Sequence, residues 1–108
     1  MPNDHPLDRL FATIEARRSA DPTASYTAKL LAGGVERCAK KFGEEAVETA
    51  IAAVAGRRES TIAESADALY HLLVLWAACG IEPKDVYAAL KEREARSGLE
   101  EKASRDGH

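Results

Sequence analysis

Residues that break helices are scarce in this chain: four prolines and seven glycines in 108 residues. A β-sandwich or barrel needs turn formers at the end of every short strand, so this scarcity excludes both. Cysteine is equally sparse. Cys38 and Cys79 match no metal-ligand spacing and read as small core residues in a reducing cytoplasm. No basic block exists: fifteen basic side chains face eighteen acidic ones, for a net charge of -3 and a pI near 5.6. The electrostatic footprint of a nucleic-acid binder is therefore missing, and no nucleic-acid partner is expected. The longest apolar run, residues 72–81, is about half a membrane span, so no membrane partner is expected either. The first six residues show no charged stretch leading into an apolar one, which argues against a secretory signal and for a cytoplasmic protein.

What fills the chain is alanine, at 21 positions, within 45% hydrophobic and 31% charged residues. Alanine loses no side-chain entropy on entering a helix, so this balance predicts an all-α fold. The expected architecture is a small bundle of four to five helices, completed by homodimerisation. Residues 1–108 form a single domain, with a core over about 7–97 and a polar tail over 98–108. Asp4 is the expected cap of the first helix, with Pro6 in its first turn. Leu7, Leu10, Phe11 and Ile14 then follow at i, i+3, i+4, i+7 as an amphipathic stripe. Residues 19–25 read as a loop around Asp21-Pro22, residues 27–32 as a short helix stopped by Gly33-Gly34, and residues 35–55 as a long helix ending at Gly56. The next helix opens near Ser60 and stops at Gly80. A last one runs from Pro83 to about Ser97, with Val86, Tyr87 and Leu90 facing inward.

The two central helices carry most of the information. Val35, Ala39, Phe42, Ala46 and Ala50 fall within about 60° of arc and form the expected core face of the long helix. Lys41, Glu45 and Glu48 make a separate stripe. From Ala68 to Cys79 every residue except His71 is apolar, which marks a helix buried on all sides. So few short helices do not wrap it, hence the expected two-fold partner.

On that helix Glu64, Asp67 and His71 fall at i, i+3 and i+7, on one side of an otherwise apolar surface. Burying a carboxylate is costly unless it is paired. The preceding helix supplies Glu45 and Glu48, again at i, i+3, with Glu44 beside them. A short antiparallel turn sets the two pairs face to face as one site of four carboxylates. Such a site repels itself unless it is protonated or neutralised, and a hard divalent cation with oxygen ligands, Mg²⁺ above all, neutralises it. Plainer readings exist for each part. Glu45 and Glu48 alone resemble a solvated face, His71 a hydrogen-bonded core histidine, and Lys40 and Lys41 the i, i+4 partners of Glu44 and Glu45.

Glu44-Glu45-Ala46-Val47-Glu48 followed by Glu64-Ser65-Ala66-Asp67 resembles the EExxE…ExxD signature of the all-α, MazG-like nucleotide pyrophosphohydrolases. The flanking stretches at 25–31, 40–48, 64–74 and 96–105 are similar to the phosphoribosyl-ATP pyrophosphohydrolase family, in order and spacing over residues 7–105. That resemblance implies Mg²⁺-dependent hydrolysis of phosphoribosyl-ATP to phosphoribosyl-AMP and pyrophosphate, the second step of histidine biosynthesis. It also implies a dimeric all-α bundle, fused in some organisms to the cyclohydrolase of the next step. At 108 residues this chain is too short to carry that domain, so a separate cyclohydrolase is expected. Carried onto these residues, it makes Glu45, Glu48, Glu64 and Asp67 the metal ligands. Glu44, Glu45 and Glu48 become the catalytic carboxylates, with Glu44 orienting the water or holding a second ion. Ser25, Thr27, Lys29, Lys40, Lys41 and His71 become contacts to the nucleotide substrate. Arg96, Lys102 and Arg105 would order on triphosphate binding. No covalent nucleophile is expected. Two other functions remain open from the sequence: a house-cleaning pyrophosphohydrolase of dNTPs, and a non-catalytic helical dimerisation module. A di-iron bundle fails, because His71 has Ala68 rather than Glu three residues before it.

Overall fold

The computed structural model describes residues 5–96, and every regular element among them is helical. The order is α1 (Pro6–Ala16), α2 (Tyr26–Ala32), α3 (Gly34–Val54), α4 (Arg58–Cys79) and α5 (Pro83–Glu94). The all-α expectation holds. The tail over 98–108, with Lys102 and Arg105, lies outside the described residues, as does Asp4.

His5, rather than Asp4, caps α1: its Nδ1 accepts the Leu7 N–H at 3.1 Å. The α1 stripe does what its spacing predicts. Phe11 and Ile14 are buried, and Leu7 and Leu10 pack against the same core. Leu30 from α2, Cys38 from α3, and Leu73, Val74 and Ala77 from α4 complete that core. It sits at one end of the molecule, around the C-terminal half of α4.

α3 and α4 pair as a long antiparallel hairpin. Its turn is a Schellman motif in which Arg57 N–H reaches the Ala52 carbonyl and Gly56 N–H the Ala53 carbonyl, each at 3.1 Å. Gly56 has φ 74°, a left-handed value that side-chain-bearing residues seldom adopt. Because this turn is only three residues long, the carboxylate-bearing stretches of the two helices are forced alongside each other. α5 is tied back to α1 by the Tyr87 hydroxyl, which donates to Asp8 at 3.1 Å.

Four expectations need correction. The face of α3 against α4 is not the Val35–Ala50 stripe. Val35 is 45% exposed, Ala39 and Ala50 are exposed, and Phe42 and Ala46 are half-buried. The buried residues of α3 are Cys38 and Ala52, and the half-buried face between them carries Glu45 and Thr49 beside Phe42 and Ala46. Hydroxyls are tolerated there because each bonds to its own helix: Thr49 to the Glu45 carbonyl at 2.8 Å and Ser65 to the Thr61 carbonyl at 2.6 Å. Hydrophobic periodicity alone cannot see that satisfaction. Cys79 is exposed at the end of α4, although Cys38 is buried. Leu90 is 53% exposed, because α5 touches the core only near its start. Lastly, α4 begins at Arg58, without a side-chain cap, so Ser60 lies inside it.

All but the last two residues of the ten-residue apolar run fall in a 22-residue helix that is, by length and composition alone, long and apolar enough to cross a bilayer. Glu64, Asp67 and His71 on it, and its packing against α1 and α3, fit a core helix of a folded bundle instead.

Candidate active site

The hairpin brings three of the four expected carboxylates together. Glu45, Glu48 and Glu64 each offer an oxygen within 4.8 Å of the others. Glu45 and Glu64 are half-buried on the seam, while Glu48 is exposed at its edge. The fourth, Asp67, is exposed and lies outside this group. One turn separates it from Glu64, and its charge is felt by His71.

The electrostatics suit a cation site. Burial first, and then the neighbouring Glu48 and Glu64 carboxyls, together push the Glu45 carboxyl up to about 7. Glu64 Oε2 is buried without a hydrogen-bond partner. A cation ligated by oxygen would satisfy that orphaned atom and relieve the crowding of the three carboxylates at once. The donor set therefore fits a hard divalent ion.

Cationic side chains stand on the helix turn before the carboxylates. Lys41 Nζ lies 3.3 Å from Glu44 Oε1, and this hydrogen bond raises the Lys41 pKa. Glu44 is thereby held on the solvent side of the seam. Lys40 is exposed. Next to them His71 is buried, at 5% exposure, with its Nδ1 unpartnered. Burial lowers its pKa and Lys41 lowers it further, so the ring is neutral at pH 7. It sits between two aromatic rings, Tyr70 at 4.9 Å and Tyr26 at 6.0 Å between centroids, both edge-on.

α2 contributes less directly than its sequence suggests. The Ser25 hydroxyl accepts the Ala28 N–H at 3.1 Å as the N-cap of α2. Thr27 is buried, and its hydroxyl shares a 2.6 Å hydrogen bond with Tyr70. Both are engaged within the protein, docking the start of α2 against α4. Lys29 is exposed and lines a cavity with residues 22–26. Tyr26 was not singled out by the sequence: an aromatic at a helix start carries no signature. Only its place beside His71 marks it.

Residues 7–94 match the family described as phosphoribosyl-ATP pyrophosphohydrolase. A phosphoribosyl-ATP pyrophosphatase of Parvibaculum lavamentivorans is 64% identical over 99 residues, spanning 92% of this chain and 91% of that protein. That of Paracoccus denitrificans is 59% identical over 107 residues, spanning 97% of this chain and 99% of its own length. That of Jannaschia sp. is 58% identical over 100 residues, 93% and 98% of the two chains.

Proposed function

The chain belongs to the phosphoribosyl-ATP pyrophosphohydrolase family, and from that premise we infer that it hydrolyses phosphoribosyl-ATP to phosphoribosyl-AMP and pyrophosphate, the second step of histidine biosynthesis. The observation that carries this reading is the convergence of Glu45, Glu48 and Glu64 on one seam, with a buried carboxylate oxygen lacking any partner.

Glu45, Glu48 and Glu64 are the residues that would hold Mg²⁺, and Asp67, exposed one turn further along α4, would add a fourth carboxylate. When bound, Mg²⁺ neutralises charge on the triphosphate and favours attack of water on the α–β phosphoanhydride. Lys40 and Lys41, residues of the α3 turn before Glu45, meet phosphate oxygens, Lys41 from its place beside Glu44. Glu44, fixed by Lys41, orients the attacking water and accepts its proton at a carboxylate oxygen. His71 donates or accepts through its free Nδ1 at the wall of the site. No side chain forms a covalent intermediate, so the water oxygen ends on one phosphate product.

The active species in this reading is a homodimer. Val47, Ile51 and Val54, spaced i, i+4, i+7, are 57%, 60% and 90% exposed on the side of α3 roughly opposite Glu45. Ile62 and Leu69 of α4 are also exposed, and only 22% of the most apolar stretch of α4 is buried within one protomer. A second copy covers such a face at the least cost in new surface. Sedimentation at micromolar concentration should give a dimer, and Ile51→Asp a monomer; a wild-type monomer overturns this part. The enzyme works in the cytoplasm.

The deciding experiment follows pyrophosphate release from phosphoribosyl-ATP with Mg²⁺, beside ATP and dNTP controls, for wild type and Glu48→Gln. Release confined to phosphoribosyl-ATP and lost in the variant supports the assignment. Release from dNTPs alone moves the protein to nucleotide house-cleaning. No release from any nucleotide leaves a helical dimerisation module.

A further inference from the structure

The carboxylate seam employs α3 and α4 and leaves α2 without a chemical task. Yet α2 carries an exposed aromatic, Tyr26, and an exposed lysine, Lys29, that makes no ion pair. Residues three apart on a helix are neighbours, about 5–6 Å between Cβ atoms. Both line a cavity of about 450 Å³, with Pro22, Thr23, Ala24 and Ser25 as its other walls. The Tyr26 ring has a second neighbour, the edge of the buried His71 imidazole at 6.0 Å, whose Nδ1 lacks a partner. Lys41, which leads into the carboxylates, lies close enough to Tyr26 for the two to affect each other's charge. The turn that holds Tyr26 is fixed on both sides of it, by the Ser25 cap and by the Thr27–Tyr70 hydrogen bond. Tyr26 thus has the Lys29 cavity on one side and His71, with Lys41 nearby, on the other.

Phosphoribosyl-ATP has groups in a matching order: a triphosphate at one end, a purine in the middle, and a second phosphate on the ribose attached to the purine. ATP and dNTPs lack that last phosphate. The geometry points to Tyr26 and Lys29 as the residues that select phosphoribosyl-ATP over ATP. The purine stacks on Tyr26, and the phosphate of the added ribose enters the α2 cavity to meet the Lys29 ammonium. This assignment rests on the function proposed above. A lysine serves here because its compact charge reaches one phosphate on a flexible stem, and an unpaired lysine has no competing partner to release.

The test compares calorimetric binding of phosphoribosyl-AMP and AMP to the full chain, alongside turnover of phosphoribosyl-ATP. Wild type should prefer phosphoribosyl-AMP by roughly tenfold or more, the range expected of one charge-assisted phosphate contact. Lys29→Met should erase that preference by weakening phosphoribosyl-AMP alone. Tyr26→Leu should weaken both ligands alike, by roughly fivefold or more, and Tyr26→Phe should restore both. Lys29 and Tyr26 are exposed, so the variants fold. Retention of the wild-type preference by Lys29→Met, or unchanged binding in Tyr26→Leu, overturns the inference while turnover of phosphoribosyl-ATP leaves the function standing. A wild type that turns over dNTPs but not phosphoribosyl-ATP overturns the function, and this inference with it.

Discussion

The two halves of α4 obey opposite rules. In the C-terminal half, Leu73 and Val74 are fully buried and Ala77 nearly so, packed against Phe11, Ile14, Leu30 and Cys38. Each such side chain contributes on the order of 1.5–3 kcal/mol by leaving water. In the N-terminal half, Glu64 is pressed towards Glu45 and Glu48 across the α3 seam, and one of its oxygens finds no partner. Like charges at this spacing oppose folding. One helix thus stabilises the bundle at one end and is destabilised at the other. A fold that places unfavourable carboxylates beside a sound core is built for what those carboxylates bind.

The sharpest way to break this comparison is a pair of variants with opposite consequences. Glu64→Gln should cut pyrophosphate release by on the order of 10²-fold or more, since it removes a carboxylate proposed to hold the charge-neutralising ion. Its melting temperature without metal should stay level or rise. A clear drop would mean that Glu64 supports the fold. Leu73→Ala should do the converse, lowering stability by about 2–5 kcal/mol through the cavity it leaves. Denaturant unfolding measures this, and a loss under 1 kcal/mol would show that the core lies elsewhere.

A smaller effect concerns pH. The folded protein holds the Glu45 proton up to about 7, against an ordinary value of 4.5. The folded state therefore binds this proton more tightly than the unfolded chain. Metal-free protein should be most stable below about pH 4.5 with respect to this group and lose stability as pH rises to about 7. Thermal melts across this window, with EDTA, should show the slope for wild type and a flatter one for Glu45→Gln. Saturating Mg²⁺ should reverse the slope, because only the ionised carboxylate ligates. Equal slopes in wild type and variant would assign the pH dependence to another group. The smallest effect is Ser25→Ala, which removes the α2 cap at a cost of about 1 kcal/mol and loosens the turn that carries Tyr26. A melt unchanged within error would remove Ser25 from the scaffold.

The legibility of this protein in its amino acids was uneven, for physical reasons. Helix identity was plain, since alanine-rich stretches punctuated by Gly33-Gly34, Gly56 and Gly80 leave little else for the backbone to do. The pairing of Glu45 and Glu48 with Glu64 was also legible, because a three-residue turn between helices leaves only one register. The packed face of α3 was not. Its sequence offers two apolar-looking sides, and the one chosen contains Glu45 and a threonine whose hydroxyl bonds its own helix. Asp67 shows the same limit from the other side. Its spacing from Glu64 implied a shared site, but spacing alone could not show that Asp67 is exposed and stands outside the three-carboxylate group.

The sequence by itself determined the all-α class, the helix order and the family, because those depend on local propensity and on motif spacing along the chain. Tertiary structure decided which side of α3 meets α4, how many carboxylates converge, that the Ser25 and Thr27 hydroxyls are engaged within the protein, and that Tyr26 stands beside His71. Those depend on the rotation of one helix about its axis relative to another. A change of one residue in that rotation, about 100°, exchanges the buried face for the exposed one without altering any local preference.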